Sequence, residues 1–137
     1  MKDFEFFIGK GDVKHQHPNM PLSRATFKES EDRLVLAKSL LATSKPKYVL
    51  ENAYEAMREA ADALLYKEGY KSYSHEASII YLKKKEFNDN ELREFDRFRK
   101  IRNSIKYYGK DCDITDARSA LELAEKIISN IQKLLKE

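Results

Sequence analysis

The final segment of the chain constrains the fold most. Ala117, Ala120, Leu121, Ala124, Ile127, Ile128, Ile131, Leu134 and Leu135 recur at helical spacing and form one continuous apolar stripe. The stripe predicts a helix from about Asp116 to Leu135. Burying each of its Ile or Leu side chains contributes roughly 1.5–3 kcal/mol. The helix is therefore a core element, and removing it is expected to unfold the protein.

The same periodicity runs through the segments before it. Phe27, Leu34, Ala37 and Leu41 mark a helix from about Arg24 to Leu41, with Val35, Leu36 and Leu40 widening its stripe. Ser44-Lys45-Pro46 breaks it, and Pro46 suits the first turn of a second helix reaching about Lys67. Leu50, Ala53, Tyr54, Met57, Ala60, Ala61 and Leu64 make the inner face of that helix, and Gly69 stops it. Ser74 caps a third helix, His75 to about Glu86, with Ala77, Ile80 and Tyr81 inward. A fourth runs from about Glu91 to Tyr108 and ends at Gly109. Short loops between long amphipathic helices predict an all-α fold, an antiparallel four- to five-helix up-and-down bundle over residues 23–137. Residues 1–22, with Phe4, Phe6, Phe7, two glycines, His15, His17 and two prolines, are expected to be an irregular, non-helical N-terminal arm packed on the body.

Composition removes several classes of protein. At 137 residues there is room for one domain. Charged residues are 36% of the chain and the mean hydropathy is −0.70. No run approaches the about 20 apolar residues that a spanning helix needs, and Met1-Lys2-Asp3-Phe4-Glu5 has acids where a signal peptide wants an apolar core, so secretion is not expected. A cytoplasmic protein is expected. The single cysteine, Cys112, excludes an internal disulfide and a multi-cysteine zinc site.

Most catalytic signatures are missing. No glycine-rich phosphate loop precedes a helix. Cys112 lies between Asp111 and Asp113, which raise a thiol's pKa rather than activate it. His15 and His17 read as solvated side chains of the arm rather than metal ligands, and neither a metal nor a cofactor is expected. Glu55 and Glu59 share a helix face, but as a carboxylate pair they lack a partner.

One segment differs. Arg97, Arg99, Lys100, Arg102, Lys106 and Lys110 span fourteen positions without an acid, and Tyr107 and Tyr108 interleave near the end. Cations beside aromatic rings are what single-stranded RNA needs, for phosphate neutralisation and base stacking. A solvated cationic face, balanced by acids elsewhere, is the plainer reading of the same residues. Arg102 bears on the choice because, on a helical wheel, it falls inside the arc of Phe95, Phe98, Ile101, Ile105 and Tyr108. A guanidinium in an apolar stripe must snorkel, line a groove such as a subunit interface, or pair with a bundle carboxylate such as Glu55 or Glu59.

Arg102-Asn103-Ser104-Ile105-Lys106-Tyr107 resembles the signature of HEPN domains, an Arg followed by a polar residue, with a His four to six residues beyond the Arg. The residues around Glu31-Asp32 and Ala37–Leu41, the stretch Tyr54–Leu65, then Gly69 and Ser74-His75, are similar to the family's earlier helices, and the resemblance covers about residues 24–137. It implies a helical homodimer that brings two motifs into one cleft. It also implies a toxin-like, metal-independent endoribonuclease, or a nucleotide-binding or docking module. A small nucleotidyltransferase antitoxin is an implied partner, able to adenylylate a tyrosine near the motif, for which Tyr108 is the nearest candidate. By this resemblance Arg102 steadies phosphate, Asn103 positions it and Tyr107 takes the place of the motif His. Arg99, Lys106, Tyr108 and Lys110 would contact RNA or a nucleotide. Tyrosine's unperturbed pKa near 10 makes it a poor base at pH 7, so weak or conditional cleavage is the expected activity.

Overall fold

The computed structural model describes residues 2–137. Six helices and one two-stranded ribbon follow in the order α1 (Phe4–Lys10), β1 (Val13–His15), α2 (Met20–Leu40), α3 (Pro46–Glu68), β2 (Tyr70–Ser72), α4 (His75–Tyr81), α5 (Asp89–Tyr108) and α6 (Ile114–Leu135). Single 3₁₀ turns, Leu41–Thr43 and Leu82–Lys85, extend α2 and α4. The architecture is an all-α helical bundle, and among the described residues no helix is long and apolar enough to cross a membrane.

Helix α3 is the central element, and α2 and α6 pack along it. Tyr54, Leu50, Met57, Leu64 and Leu65 of α3 are enclosed together with Ile127 and Ile131 of α6. The α6 stripe is buried as its spacing predicts, apart from the half-buried Leu134 and Leu135 at its end. There Lys67 Nζ donates to the carbonyls of Leu134 (2.9 Å), Leu135 (3.2 Å) and Glu137 (2.7 Å). A cation is favoured where unpaired helix carbonyls gather.

Helix α2 departs from expectation. Its inner stripe is Ser23, Phe27, Ser30 and Ala37, with Leu34 and Leu41 half-buried beside it. Val35 (67% exposed) and Leu36 (45%) face out rather than widening the core. The small residues allow close packing on α3, where Ser23 Oγ donates to the Ala63 carbonyl (2.7 Å) and Ser30 Oγ to that of Ala56 (2.6 Å). Buried hydroxyls are tolerated because each is hydrogen-bonded.

The N-terminal segment also corrects the sequence reading, because the arm expected to be non-helical is ordered structure. Asp3 caps α1 by accepting from Phe6 N (2.9 Å), and Gly11 ends the helix at φ +89°. A seven-residue helix is too short to show periodicity, so its cap, its glycine and the buried Phe4 and Phe7 specify it instead. Strand β1 pairs antiparallel with β2, Val13 opposite Ser72, Lys14 opposite Lys71 and His15 opposite Tyr70. Phe4 packs against Tyr70 and Tyr81, so the segment does lie on the body. Gly69 permits the junction. Its φ is +91°, and a Cβ there would lie 2.9 Å from the Gln16 carbonyl oxygen.

Candidate functional site

A network of charged side chains fills the space between α3, the start of α4 and the middle of α5. Glu55, Arg58 and Asp62 fall on one face of α3 through their i, i+3 and i+7 spacing. Arg58 donates to Glu55 Oε2 from Nε (3.1 Å) and Nη2 (2.7 Å), and to Asp62 Oδ2 from Nη1 (2.8 Å). Asp62 Oδ1 accepts from Ser78 Oγ (2.7 Å). On α5, Arg99 binds Asp96 (2.7 Å) and reaches Glu76 (3.2 Å).

Arg102 lies within this network. It is 7% exposed, and its Nη2 stands 3.1 Å from Glu55 Oε1. Of the outcomes open to a guanidinium in an apolar stripe, the chain adopts pairing with the α3 carboxylate. The contact lacks hydrogen-bond geometry and leaves Glu55 Oε1 buried without a hydrogen-bond partner, and Arg102 Nε is likewise buried and unpaired. Nη1 donates to Asn103 Oδ1 at 3.3 Å, and the guanidinium carbon is 5.9 Å from the centre of the Tyr54 ring.

His75, at the start of α4, joins from the other side. Its Nδ1 is 3.0 Å from the Tyr54 hydroxyl. Burial, followed by the positive charge of Arg58, lowers its pKa to about 4, with Arg102 and Arg99 adding to the effect. The imidazole is therefore neutral at pH 7. Burial raises the Tyr54 and Asp62 pKa values. At Glu55 burial acts upward too, but the Arg58 hydrogen bond and the charges of Arg58 and Arg102 outweigh it, and the pKa is lowered. Strongly perturbed groups gathered in one buried cluster are a pattern of functional sites.

The other residues singled out in the sequence divide into two groups. Arg97, Arg99 and Lys100 are neutralised: Arg97 by Glu94 and Asp116, Arg99 as above, and Lys100 by Asp96 at 3.5 Å. The acids come from the preceding turn and from neighbouring helices, so counting charges within the segment overstated its field. Lys106, Tyr107, Tyr108 and Lys110 remain exposed, and among the described residues neither lysine meets a carboxylate within 4.0 Å. Tyr107 is 63% exposed and Tyr108 77%. The Tyr107 position is about 140° round the helix from Arg102, and the structure does not bring its ring into the Arg102 cluster. Sequence reasoning missed Arg58, Asp62 and Ser78, although the spacing of the α3 charges carried a signal for the first two. Burial, followed by Asp111, raises the Cys112 pKa to about 11, consistent with an inert thiol. A surface hollow of about 400 Å³ lies elsewhere, between Phe4, Ile80, Lys83 and Leu92.

With the bundle and the Arg102-Asn103 pair in place, comparison with known families gives a direct match. The model of the HEPN domain matches residues 23–134, nearly the whole chain. The chain belongs to the HEPN domain family, which ties it to nucleotide- and RNA-related chemistry. Comparison with curated proteins returned no match.

Proposed function

We propose that this chain is an RNA-interacting, toxin-like HEPN protein whose Arg102 site is a conditional, metal-independent ribonuclease centre, held closed in the single protomer by Glu55. One observation carries the reading. A nearly buried guanidinium faces a carboxylate at 3.1 Å without forming a hydrogen bond to it, and its Nε is unpaired. Such a pair is electrostatically satisfied but short of hydrogen bonds, so a phosphate offering two acceptors competes well for Arg102. Asn103 sits at the next position to orient the same group. Tyr107 faces away from its own Arg102 and serves as proton donor or stabiliser to the site of a second copy. The half-buried Ile101 and Ile105 with the exposed Tyr108 extend the α5 apolar arc past what this protomer covers, which supports a homodimer through this face. The 77% exposure of Tyr108 leaves its hydroxyl open to a nucleotidyltransferase antitoxin.

A second reading, a non-catalytic nucleotide-binding or nucleotidyltransferase-docking module, is favoured by the charge pairing of Arg102 and the remoteness of Tyr107. Incubating RNA in chelator with wild type, Arg102→Ala and Tyr107→His separates the two. Slow cleavage by wild type, lost in Arg102→Ala and faster in Tyr107→His, is the expected result. RNA left intact by all three favours the binding module instead.

A further inference from the structure

The β1–β2 ribbon carries a feature that the Arg102 site does not explain. Lys14 and Lys71 stand directly opposite each other in the ladder. Like charges in that position destabilise a strand pair. Among the described residues neither ammonium reaches a carboxylate within 4.0 Å, although Asp12 is close by in sequence and pairs with Lys10 instead. Both ammonium groups lie near one aromatic ring, Lys14 at 5.8 Å and Lys71 at 5.6 Å from the centre of Tyr73. Tyr73 is 62% exposed, and its backbone is fixed by a 2.7 Å hydrogen bond from its N–H to the Asp12 carbonyl. Lys71 also stands 5.6 Å from the half-buried ring of Tyr66.

We propose that this ribbon is a second contact for single-stranded RNA, in which a base stacks on Tyr73 and the flanking phosphates sit between Lys14 and Lys71. The charge pattern calls for a polyanion, and the exposed ring between the two cations favours one whose charges alternate with flat apolar groups. An acidic peptide or an anionic membrane supplies the charge without the stacking face. A bound phosphate also relieves the Lys14–Lys71 repulsion, so part of the binding energy comes from removing a cost built into the ladder. The proposal shares the RNA reading of the α5 site but uses none of its residues.

The chain contains no tryptophan, so Tyr73→Trp places a single fluorophore on the ribbon. Titration of the full-length Tyr73→Trp protein with a ten-residue oligouridylate should quench its emission saturably. Adding Lys14→Glu should weaken that binding at least tenfold while the thermal midpoint stays level or rises, because the cross-strand pair becomes attractive; a merely structural Lys14 would lower both together. No quenching, or quenching indifferent to Lys14→Glu, overturns the proposal. Equal quenching by polyglutamate or by phosphatidylserine vesicles overturns it in favour of an acidic protein or a membrane. Quenching that survives Lys106→Glu/Lys110→Glu supports an independent site, and its loss there overturns that independence. Failure of the α5 cleavage experiment leaves this titration unaffected.

Discussion

Arg102 of α5 and Glu55 of α3 meet at 3.1 Å, almost fully enclosed, and each keeps a buried polar atom without a hydrogen bond. Removing one partner of such a pair costs more than removing both, because a lone buried charge is the expensive species. Glu55→Ala is expected to destabilise by about 3 kcal/mol, since it also removes the hydrogen bonds from Arg58 to Glu55 and leaves that guanidinium only Asp62. The double variant Glu55→Leu/Arg102→Met is expected to lose clearly less. Urea unfolding of the single and double variants checks the order, and a double-variant loss equal to the sum of the single losses would show that the two groups are not coupled.

His75 makes stability depend on pH. Its folded pKa, about 4, lies below the ordinary 6.5, so between those values the unfolded chain binds more protons than the folded one. The stabilisation is complete above pH 6.5 and drains away as pH falls toward 4. Glu59 and Asp62, raised by burial, act in the opposite sense at the acid end. Thermal midpoints of wild type should fall from pH 7 to pH 4.5, and His75→Gln should flatten that slope. Parallel curves for the two proteins would remove the imidazole from the account.

Gly69 joins α3 to the ribbon at φ +91°, with the Gln16 carbonyl where a Cβ would go. Gly69→Ala combines a left-handed backbone with a close contact to main chain, and should cost about 1–3 kcal/mol. Gly109, at φ +66°, has open space around it, so Gly109→Ala should cost less. Chemical denaturation of both variants compares them, and equal losses would mean that the contact with Gln16 adds nothing.

The long helices were legible because their information is local. The α6 stripe needs only the 3.6-residue period, and Ser74, Gly69 and Gly109 mark helix ends through chemistry confined to a few residues. The short N-terminal elements were not legible, because α1 and β1 depend on surfaces that Tyr70, Tyr81 and β2 supply from far along the chain. The outward turn of Val35 and Leu36 was hidden for a related reason. Apolar character says that a side chain prefers burial, but Ser23 and Ser30 occupy the inner stripe because hydroxyls with carbonyl partners allow the closer helix contact.

The site shows the same division. By itself the sequence determined that a guanidinium lies within an apolar arc of α5, beside Asn103 and ahead of a basic, tyrosine-bearing end, since those relations follow from spacing on one helix. Only the tertiary structure decided which acid Arg102 meets, that Arg97 and Arg99 are already neutralised, and that His75 arrives at the cluster through Tyr54. Electrostatic pairing depends on distance in space, and α3, α4 and α5 bring together charges that the chain keeps tens of residues apart.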